Sequence, residues 1–300
     1  MVELAGLVKD GKLVSSNEWY SYIDSLKNEV KSEISDEKKA IEAIKHHFLL
    51  AIKKRYPSKK FGIFFSGGVD STGISFISKK DKQDFICYTV GLEGSEDIEY
   101  SVRIAKEYGF NHKKKILTMD EVEEIFESLA KIIPKKDLNV VNLGVGAVEL
   151  AAIELAKKDK IDTLFGGLGS EEIFAGYQRH EKSKDINEEC WNGLKTTYDR
   201  DFGRDYSIAV AEGMTFLTPF LDKDLIIAAM QVSGKLKLKD EHKKYIFRKL
   251  MIDLGLKEEY AYRPKKAAQY GSSFDKAILK IAKSKSFSHK HKYIEYLKNI

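Results

Sequence analysis

Apolar residues recur along this chain with two different spacings, which predict alternating helices and strands. Between Asp36 and Arg55, isoleucine, leucine and phenylalanine recur every three or four positions, as on one face of an amphipathic helix. A similar pattern predicts a helix from Asn17 to about Glu33. Short runs that are almost wholly apolar predict buried strands at Lys59–Phe65 and Asp84–Gly91.

The alternation continues along the chain. The further predicted elements are a helix at Glu96–Tyr108 ending at Gly109, a strand at Lys113–Leu117, a helix from the capping box at Thr118-x-x-Glu121 to Ile133, a helix near Leu143–Lys157, and a strand at Thr163–Phe165. Because helices alternate with strands, the chain is predicted to form an α/β fold with a doubly wound parallel sheet. Beyond Asp185 the pattern becomes mainly helical.

Residues 66–71, Ser-Gly-Gly-Val-Asp-Ser, follow the first of the buried strands directly. Paired glycines let backbone N–H groups approach an anion, and a following helix N-terminus adds partial positive charge. The hydroxyls of Ser66 and Ser71 can donate to phosphate oxygens, and Asp70 can hold the magnesium that accompanies a nucleotide. An ordinary strand-to-helix turn needs one glycine but not this whole set. We therefore interpret the segment as a phosphate-binding loop.

The loop matches neither GxxxxGK(S/T) nor GxGxxG. It resembles the PP-loop, SGG(V/L/I)DS, of the N-type ATP pyrophosphatases. The resemblance implies a fold like that of the adenine nucleotide α-hydrolases. It also implies that ATP is cleaved to AMP and intact pyrophosphate, with AMP activating a carbonyl or amide oxygen.

A second glycine-rich turn follows the strand at Thr163–Phe165 and reads Gly-Gly-Leu-Gly-Ser-Glu-Glu over residues 166–172. Ligands of doubly wound sheets lie outside the carboxyl ends of the strands, where both turns fall. Two adjacent carboxylates suit a second magnesium contact. Acidic residues are also routine in the first turn of a helix, so the turn by itself favours no ligand.

Together the two turns resemble the synthetase domain of the asparagine synthetases, whose second turn has the signature SGxGxDExFxGY. Further segments resemble the family in order from about Phe61 to Ser272: Gly91, Ser95 and Asp97; Gly203-Arg204-Asp205; Thr218–Asp222; Lys244-x-x-x-Arg248; and Arg263-Pro264-Lys265-Lys266. Residues 175–180 and 265–272 are most similar to the eukaryotic asparagine synthetase domain-containing proteins and their archaeal relatives.

The resemblance implies roles for individual residues. Those that would bind the pyrophosphate of ATP are Ser66, Gly67, Gly68, Val69, Asp70 and Ser71. Magnesium would be shared by Asp70 and Glu171, and Glu172 keeps the next acid of the nucleotide site. Backbone groups beside adenine and ribose would come from Val90, Gly91 and Leu92, with Gly166 and Gly167 on the other side.

Three cations complete the implied site. Lys265 would neutralise charge that develops between the α-phosphate and the attacking carboxylate. Lys244 or Arg248 would reach the leaving pyrophosphate. In a chain with 51 lysines and arginines, a solvated helix face is the alternative interpretation of all three.

The differences from the family lie on the acyl-substrate side. Leu168 stands where the family has an acid, and Thr215-Phe216-Leu217 replaces its E-x-R segment. Val2 stands where the family's glutaminase has its nucleophilic cysteine, and sixty residues before the loop are too few for that domain. We therefore expect the amide to form with free ammonia, with ammonia from a separate glutaminase subunit, or with another nucleophile.

The resulting organisation has three predicted parts: an N-terminal helical extension (1–58), a PP-loop ATP-binding α/β domain (59–184), and a mainly helical part packed on the ATP site (185–300). No stretch resembles a signal peptide or a membrane span, which predicts a soluble, cytoplasmic protein without a membrane partner. The only two cysteines, Cys87 and Cys190, form no CxxC pair, and Cys87 is expected to be inert core.

The predicted function is adenylation of an aspartate-like carboxylate by ATP and Mg²⁺, followed by amide formation. One alternative is a PP-loop enzyme that modifies tRNA, for which the basic stretch Lys276–Lys298 with its interleaved aromatics is the support. The net charge of +5 is modest, and an amphipathic terminal helix explains that stretch as well. Another alternative is a regulatory ATP-binding protein that has lost its acyl site, for which Leu168 is the support. The pair His289-x-His291 lacks a nearby third metal ligand.

Overall fold

The computed structural model describes residues 8–9, 11–264 and 266–300. Its strands are β1 (Val8–Lys9), β2 (Lys12–Leu13), β3 (Phe61–Phe64), β4 (Phe85–Gly91), β5 (His112–Ile116), β6 (Thr163–Phe165) and β7 (Thr215–Leu217). Its α-helices are α1 (Ser16–Glu29), α2 (Glu37–Lys53), α3 (Val69–Lys80), α4 (Glu96–Tyr108), α5 (Met119–Ile132), α6 (Val140–Lys158), α7 (Ser170–Ile173), α8 (Gln178–Glu181), α9 (Ile186–Thr197), α10 (Gly203–Glu212), α11 (Lys223–Gln231), α12 (Gly234–Lys237), α13 (Tyr245–Asp253), α14 (Glu258–Ala261), α15 (Ala268–Gly271), α16 (Phe274–Ser284) and α17 (Lys290–Leu297). A π-helical turn at Tyr198–Phe202 joins α9 to α10, and a 3₁₀ turn at Pro219–Leu221 precedes α11.

Strands β3 to β7 form one parallel sheet in the order β5-β4-β3-β6-β7. At its centre, Ile63 of β3 is aligned with Cys87 of β4 and Phe165 of β6. The strand order reverses between β3 and β6, and such a switch point opens a crevice at the carboxyl ends of the two strands. The predicted α/β fold with a doubly wound parallel sheet is confirmed, and the loops after β3 and β6 meet at this crevice.

Strand β7 lies in the part beyond Asp185 that the sequence pattern predicts to be mainly helical, and it is a strand that the pattern does not predict. Thr215 N donates to Asp162 O at 2.8 Å, and Leu217 O accepts from Gly166 N at 2.9 Å, so β7 extends the sheet beside β6. Three residues are too few to show a period of two, which is why the sequence pattern misses this strand. Through Leu217, β7 also supports the glycine-rich turn after β6.

The predicted helix ends follow from local chemistry. Thr118 and Glu121 form both hydrogen bonds of the capping box at the start of α5, and Gly109 ends α4 in the left-handed conformation with φ 62°. Helix α1 stops at Glu29, four residues before the predicted end, because the backbone of Val30 is extended. Ile34 then pairs with Val232 of the C-terminal part.

One hydrophobic core joins the N-terminal helices, the sheet and the C-terminal helices. Phe48 of α2 lies 5.5 Å from Phe220 and 5.2 Å from Phe247, measured between ring centroids. Cys87 is fully buried in β4, and burial raises the pKa of its thiol to about 12, as expected for inert core. The division into three parts stays a prediction. Among the helices that the structure describes, none has the length and apolar character that a bilayer crossing requires.

A buried lysine in α12 has no carboxylate partner among the contacts of the described residues. The Lys237 side chain is 0% exposed, and its Nζ lies 3.5 Å from the sulfur of Met230. Burial lowers the pKa of this amine. Because a buried polar group with a weak partner costs about 1–3 kcal/mol, we expect Lys237→Met to increase the free energy of unfolding by that amount at pH 7. Denaturant unfolding measures the difference.

The gain from Lys237→Met should depend on pH. The folded protein holds this proton less tightly than the unfolded chain, so the stability of the unmodified protein rises with pH up to the ordinary lysine pKa near 10.5. The difference between the two proteins should therefore shrink as the pH increases toward that value. Lys235→Met, at an exposed position of the same helix, is the control and should change little. Equal stabilities at pH 7 would contradict the prediction.

Candidate nucleotide-binding site

The loop between β3 and α3 is held in a compact form by its own hydroxyls. Gly68 N donates to Ser66 Oγ at 3.2 Å, and Ser71 Oγ donates to Gly68 O at 3.2 Å. Gly67 has φ +72°, a left-handed conformation that glycine adopts at little cost. The loop therefore leads directly into the N-terminus of a twelve-residue helix, where unpaired N–H groups favour an anion.

The turn after β6 packs against this loop. A Cβ placed on Gly167 would lie 3.3 Å from the Cβ of Asp70, so the two backbones approach closely. Ser170 Oγ donates to Asp70 Oδ1 at 2.6 Å. Both turns therefore share the floor of the crevice at the switch point of the sheet.

A buried lysine joins the acids of the two turns. Lys244 Nζ lies 2.8 Å from Asp70 Oδ2, 2.8 Å from Glu171 Oε1 and 3.1 Å from Ser170 Oγ. Its side chain is only 2% exposed, so the alternative of a solvated helix face is wrong for Lys244. The residue caps the N-terminus of α13 with φ 57°, a left-handed conformation that costs a lysine energy and recurs at functional sites.

Gly176 makes room for this cluster. A Cβ at this position would lie 1.5 Å from Glu171 Oε2 and 2.6 Å from Lys244 Cε. Any side chain there would displace both charged groups. The only sequence signal for Gly176 is its place as the glycine of the F-x-G-Y part of the second turn.

The donor set of this cluster suits magnesium. The carboxylates of Asp70 and Glu171 come from different turns and both contact the ammonium of Lys244. Their donors are oxygens, the ligand type that Mg²⁺ prefers. No group of three or more histidine, cysteine, aspartate or glutamate side chains is placed to hold a metal in the described part of the chain. A magnesium ion here would thus have two protein carboxylates and take its other oxygens from phosphates and water, as is usual for this ion.

The two adjacent acids of the second turn face different partners. Glu172, predicted to belong to the nucleotide site, is 1% exposed and forms an ion pair with Arg200. Burial raises the pKa of Glu172, and the positive charge of Arg200 opposes that rise. The structure therefore brings Glu171, and not Glu172, to Asp70 and Lys244.

Arg248 is buried one helical turn beyond Lys244. Its Nε donates to Lys243 O at 2.8 Å, and its Nη1 donates to Ala261 O. Arg248 is 8% exposed, and burial lowers the pKa of its guanidinium. A solvated helix face is therefore wrong for Arg248 as well, and these bonds tie it to the backbone of the 261–263 segment.

Lys265 lies outside the described residues, and its two flanking cations differ sharply from each other. Arg263 is buried and bonds Ser66 O and Asp97 Oδ1. Lys266 forms an ion pair with Glu96 at the surface. Arg263 was missed as a site residue from the sequence, where only its place in the R-x-K segment singles it out.

The backbone groups predicted to face adenine are partly engaged within the protein. Gly91 O accepts from Leu117 N at 3.0 Å, and Leu92 N donates to Ser272 O at 3.0 Å. On the other side of β4, Tyr88 O accepts from Phe65 N at 2.8 Å. Because alternate residues of a strand bond to opposite neighbours, Val90 comes next on the β3 side, beyond the end of β3. Val90 therefore lies on the side of β4 from which the PP-loop leaves β3.

A buried network surrounds Arg204 at the carboxyl edge of the sheet. Helices α6 and α10 each precede a parallel strand, so their N-terminal ends, which carry Asn142 and Arg204, lie at that edge. Arg204 Nη1 donates to Asn142 Oδ1 at 3.1 Å and Asp201 Oδ1 at 3.2 Å, and Nη2 lies 2.5 Å from Asp205. Glu149 lies 3.5 Å from Arg204, and burial raises the pKa of its carboxyl. The sequence offered only the Gly-Arg-Asp segment as a signal for this network.

Comparison with known proteins identifies the family. The family model for asparagine synthase matches residues 43–189 and 179–297, which include the sheet, both turns and Lys244. The chain belongs to the asparagine synthase family. The resemblance seen in the motifs is therefore confirmed.

Two curated members of the asparagine synthase family give the scale of similarity. A putative glutamine-hydrolyzing asparagine synthetase of Methanocaldococcus jannaschii is 31% identical over 278 residues, which cover 80% of this chain and 51% of that protein. The root asparagine synthetase of Pisum sativum is 28% identical over 243 residues, 74% of this chain and 40% of that protein. The chain spans about half the length of these relatives, or less. Among solved structures, the NMN synthetase of Francisella tularensis matches 89% of this chain and 94% of that chain, with a TM-score of 0.43 and 12% identity.

Proposed function

We propose that this chain is an ATP-dependent ligase that adenylates a carboxylate and then forms an amide. The observation that carries the proposal is the meeting of Asp70 and Glu171, from two different turns, around one buried cation beside the N-terminus of α3. Membership of the asparagine synthase family supports the same chemistry. An aspartate-like carboxylate is the proposed substrate, and the cytoplasm is the proposed location.

The first step is attack of a carboxylate oxygen on the α-phosphorus of ATP. The bond from that phosphorus to the bridging oxygen breaks, and its electron pair leaves with pyrophosphate. The N–H groups of the PP-loop and the hydroxyls of Ser66 and Ser71 bind the phosphates, while Val90 lies beside adenine. Lys244 supplies positive charge where pyrophosphate departs. Magnesium, when bound by Asp70 and Glu171, neutralises charge on the phosphate oxygens.

The second step is attack of a nitrogen nucleophile on the acyl carbon. The bond from that carbon to the AMP oxygen breaks, its electron pair leaves with AMP, and the nitrogen loses a proton. The nitrogen donor is proposed to be ammonia, either free or passed on by a separate glutaminase. Both steps need little more than positioning and charge neutralisation.

The experiment is to measure AMP and pyrophosphate release from Mg·ATP. L-aspartate with ammonium is compared with a panel of other carboxylates and with bulk tRNA. We expect AMP to form in equal amount to pyrophosphate, to require a carboxylate, and to yield an amide product. A reaction that releases ADP instead would contradict the proposed chemistry.

The other outcomes separate the alternatives. AMP formation that requires tRNA would identify a tRNA-modifying enzyme. ATP binding without turnover by any carboxylate would favour a regulatory ATP-binding protein. Turnover with a carboxylate other than aspartate would keep the mechanism and change the substrate, in line with the unusual Leu168 in the second turn.

A further inference from the structure

We propose that Arg263 is a positioning residue that orients the PP-loop for phosphate without binding phosphate itself. The inference rests on the proposed function, because it concerns the same ATP site. Its basis is a set of contacts that connect the C-terminal part of the chain to the underside of the loop. Those contacts involve one buried guanidinium and three different acceptor or packing groups.

Arg263 is held on three sides. Its Nη1 donates to Ser66 O, its Nη2 donates to Asp97 Oδ1 at 2.7 Å, and the guanidinium lies 4.2 Å from the centroid of the Tyr100 ring. The side chain is 2% exposed. A planar guanidinium suits this arrangement because its fork directs donors to two acceptors while its face stacks on an aromatic ring.

The bond to Ser66 O determines the direction of the next N–H group. In a planar trans peptide the C=O and N–H groups point in opposite directions. Since Arg263 draws Ser66 O toward itself, the N–H of Gly67 in the same peptide points away from Arg263, toward the opposite face of the loop. A Cβ on Gly67 would lie 3.1 Å from Arg263 Nη1 and 3.1 Å from Ser101 N, so the loop is packed closely on this side.

The charge of Arg263 is already compensated. Asp97 forms an ion pair with it, and the Asp97 side chain is 6% exposed. A guanidinium neutralised in this way contributes direction and packing more than attraction for ATP. This distinguishes the proposed role from that of a cation that contacts phosphate.

The backbone that carries Arg263 is itself fixed by α13, the helix that Lys244 caps. Arg248 Nη1 donates to Ala261 O and, at 3.4 Å, to Arg263 O. One side of α13 thus presents Lys244 to the acids, and the next turn anchors the segment that holds the PP-loop. Arg248 and Arg263 therefore connect the PP-loop to Lys244 and the two acids around it.

The test compares Arg263→Met and Arg263→Lys with Arg103→Met. Arg103 is the matched control because it also lies over the Tyr100 ring, at 5.7 Å, but its side chain is 60% exposed and pairs with Glu259 at 3.7 Å, outside the loop. Three experiments are made: calorimetry gives the Kd of Mg·ATP, steady-state kinetics give kcat and KM for AMP formation, and hydrogen exchange is measured on the peptide containing residues 66–71 without nucleotide.

We expect Arg263→Met to weaken Mg·ATP binding at least tenfold and to raise hydrogen exchange in the loop, while Arg103→Met changes neither. Arg263→Lys keeps the charge but lacks the fork, so it should resemble Arg263→Met. Recovery of ATP affinity by Arg263→Lys would mean that charge alone acts, and would overturn the positioning role. Should Arg263→Met not fold, Arg263→Lys and Asp97→Asn decide the question by the same measurements.

The proposal and the proposed function can fail separately. If the unmodified protein binds Mg·ATP and Arg263→Met binds it equally well with unchanged loop exchange, the positioning role is wrong and the function stands. If the unmodified protein does not bind ATP, the proposed function is wrong and the positioning role falls with it. In that case, raised hydrogen exchange of the loop in Arg263→Met would show only that Arg263 stabilises the loop structurally.

Discussion

Asp70→Asn is expected to lower carboxylate-dependent AMP formation by about 10³-fold, which corresponds to ~4 kcal/mol of transition-state stabilisation. Asp70 is 3% exposed, and both of its carboxylate oxygens lie within 2.9 Å of Lys244 Nζ. The amide keeps the shape of the side chain but removes the negative charge. It therefore loses its charge attraction for Lys244 and for the magnesium ion that we propose it to bind. Steady-state release of AMP and pyrophosphate at saturating Mg·ATP measures the effect.

The control for this substitution is Asp81→Asn. Asp81 caps the opposite end of the same helix, α3, and forms an ion pair with Lys53 at 3.5 Å. It should leave the rate of AMP formation unchanged. An Asp70→Asn protein with the rate of the unmodified enzyme would show that the acid cluster has no part in ATP cleavage.

Lys244→Met is expected to destabilise the ligand-free protein by about 3–5 kcal/mol, the usual effect of removing one partner from a buried ion pair. The substitution leaves Asp70 and Glu171 close together without the ammonium that compensates them. Denaturant unfolding in the presence of a chelator measures the loss. Added Mg²⁺ should recover part of it, because these carboxylates are the oxygen donors proposed for the ion.

The matched control is Lys243→Met, one residue earlier in the chain. Lys243 pairs with Glu181 at 3.3 Å, and both side chains are partly exposed, so a change of under about 1 kcal/mol is expected. Equal stabilities of the two variants would contradict the role of Lys244 in compensating the acids. Lys244→Met should also lower the rate of AMP formation, whereas Lys243→Met should not.

Those features of the site that depend on neighbouring residues were readable from the sequence. The strand predicted at Lys59–Phe65 forms at Phe61–Phe64, the expected helix follows from Val69, and the strand at Thr163–Phe165 has the predicted bounds. The capping box at Thr118 and the glycine at the end of α4 act over four residues or fewer. Local interactions of this kind are present in the sequence itself, so pattern reasoning recovers them.

Other features depend on residues far apart in the chain. Glu171 and Glu172 are adjacent and chemically alike, yet one faces Lys244 and the other faces Arg200. Spacing cannot distinguish them, because the choice depends on which helices pack on each side of a short turn. The same holds for β7, which is recognisable only by its hydrogen bonds to the strand and turn beside it.

The sequence by itself determined the parallel α/β fold, the phosphate-type loop at Ser66–Ser71 and the family resemblance, because each depends on local period or contiguous residues. Only the tertiary structure decided which groups Lys244 and Arg263 contact. Lys244 meets Asp70 across 174 positions of the chain, and Arg263 meets Ser66 across 197. In the sequence, only the resemblance of their segments to the family distinguishes these two residues from the many solvated cations around them. Burial separates them, because a charge removed from water must find its partners within the fold.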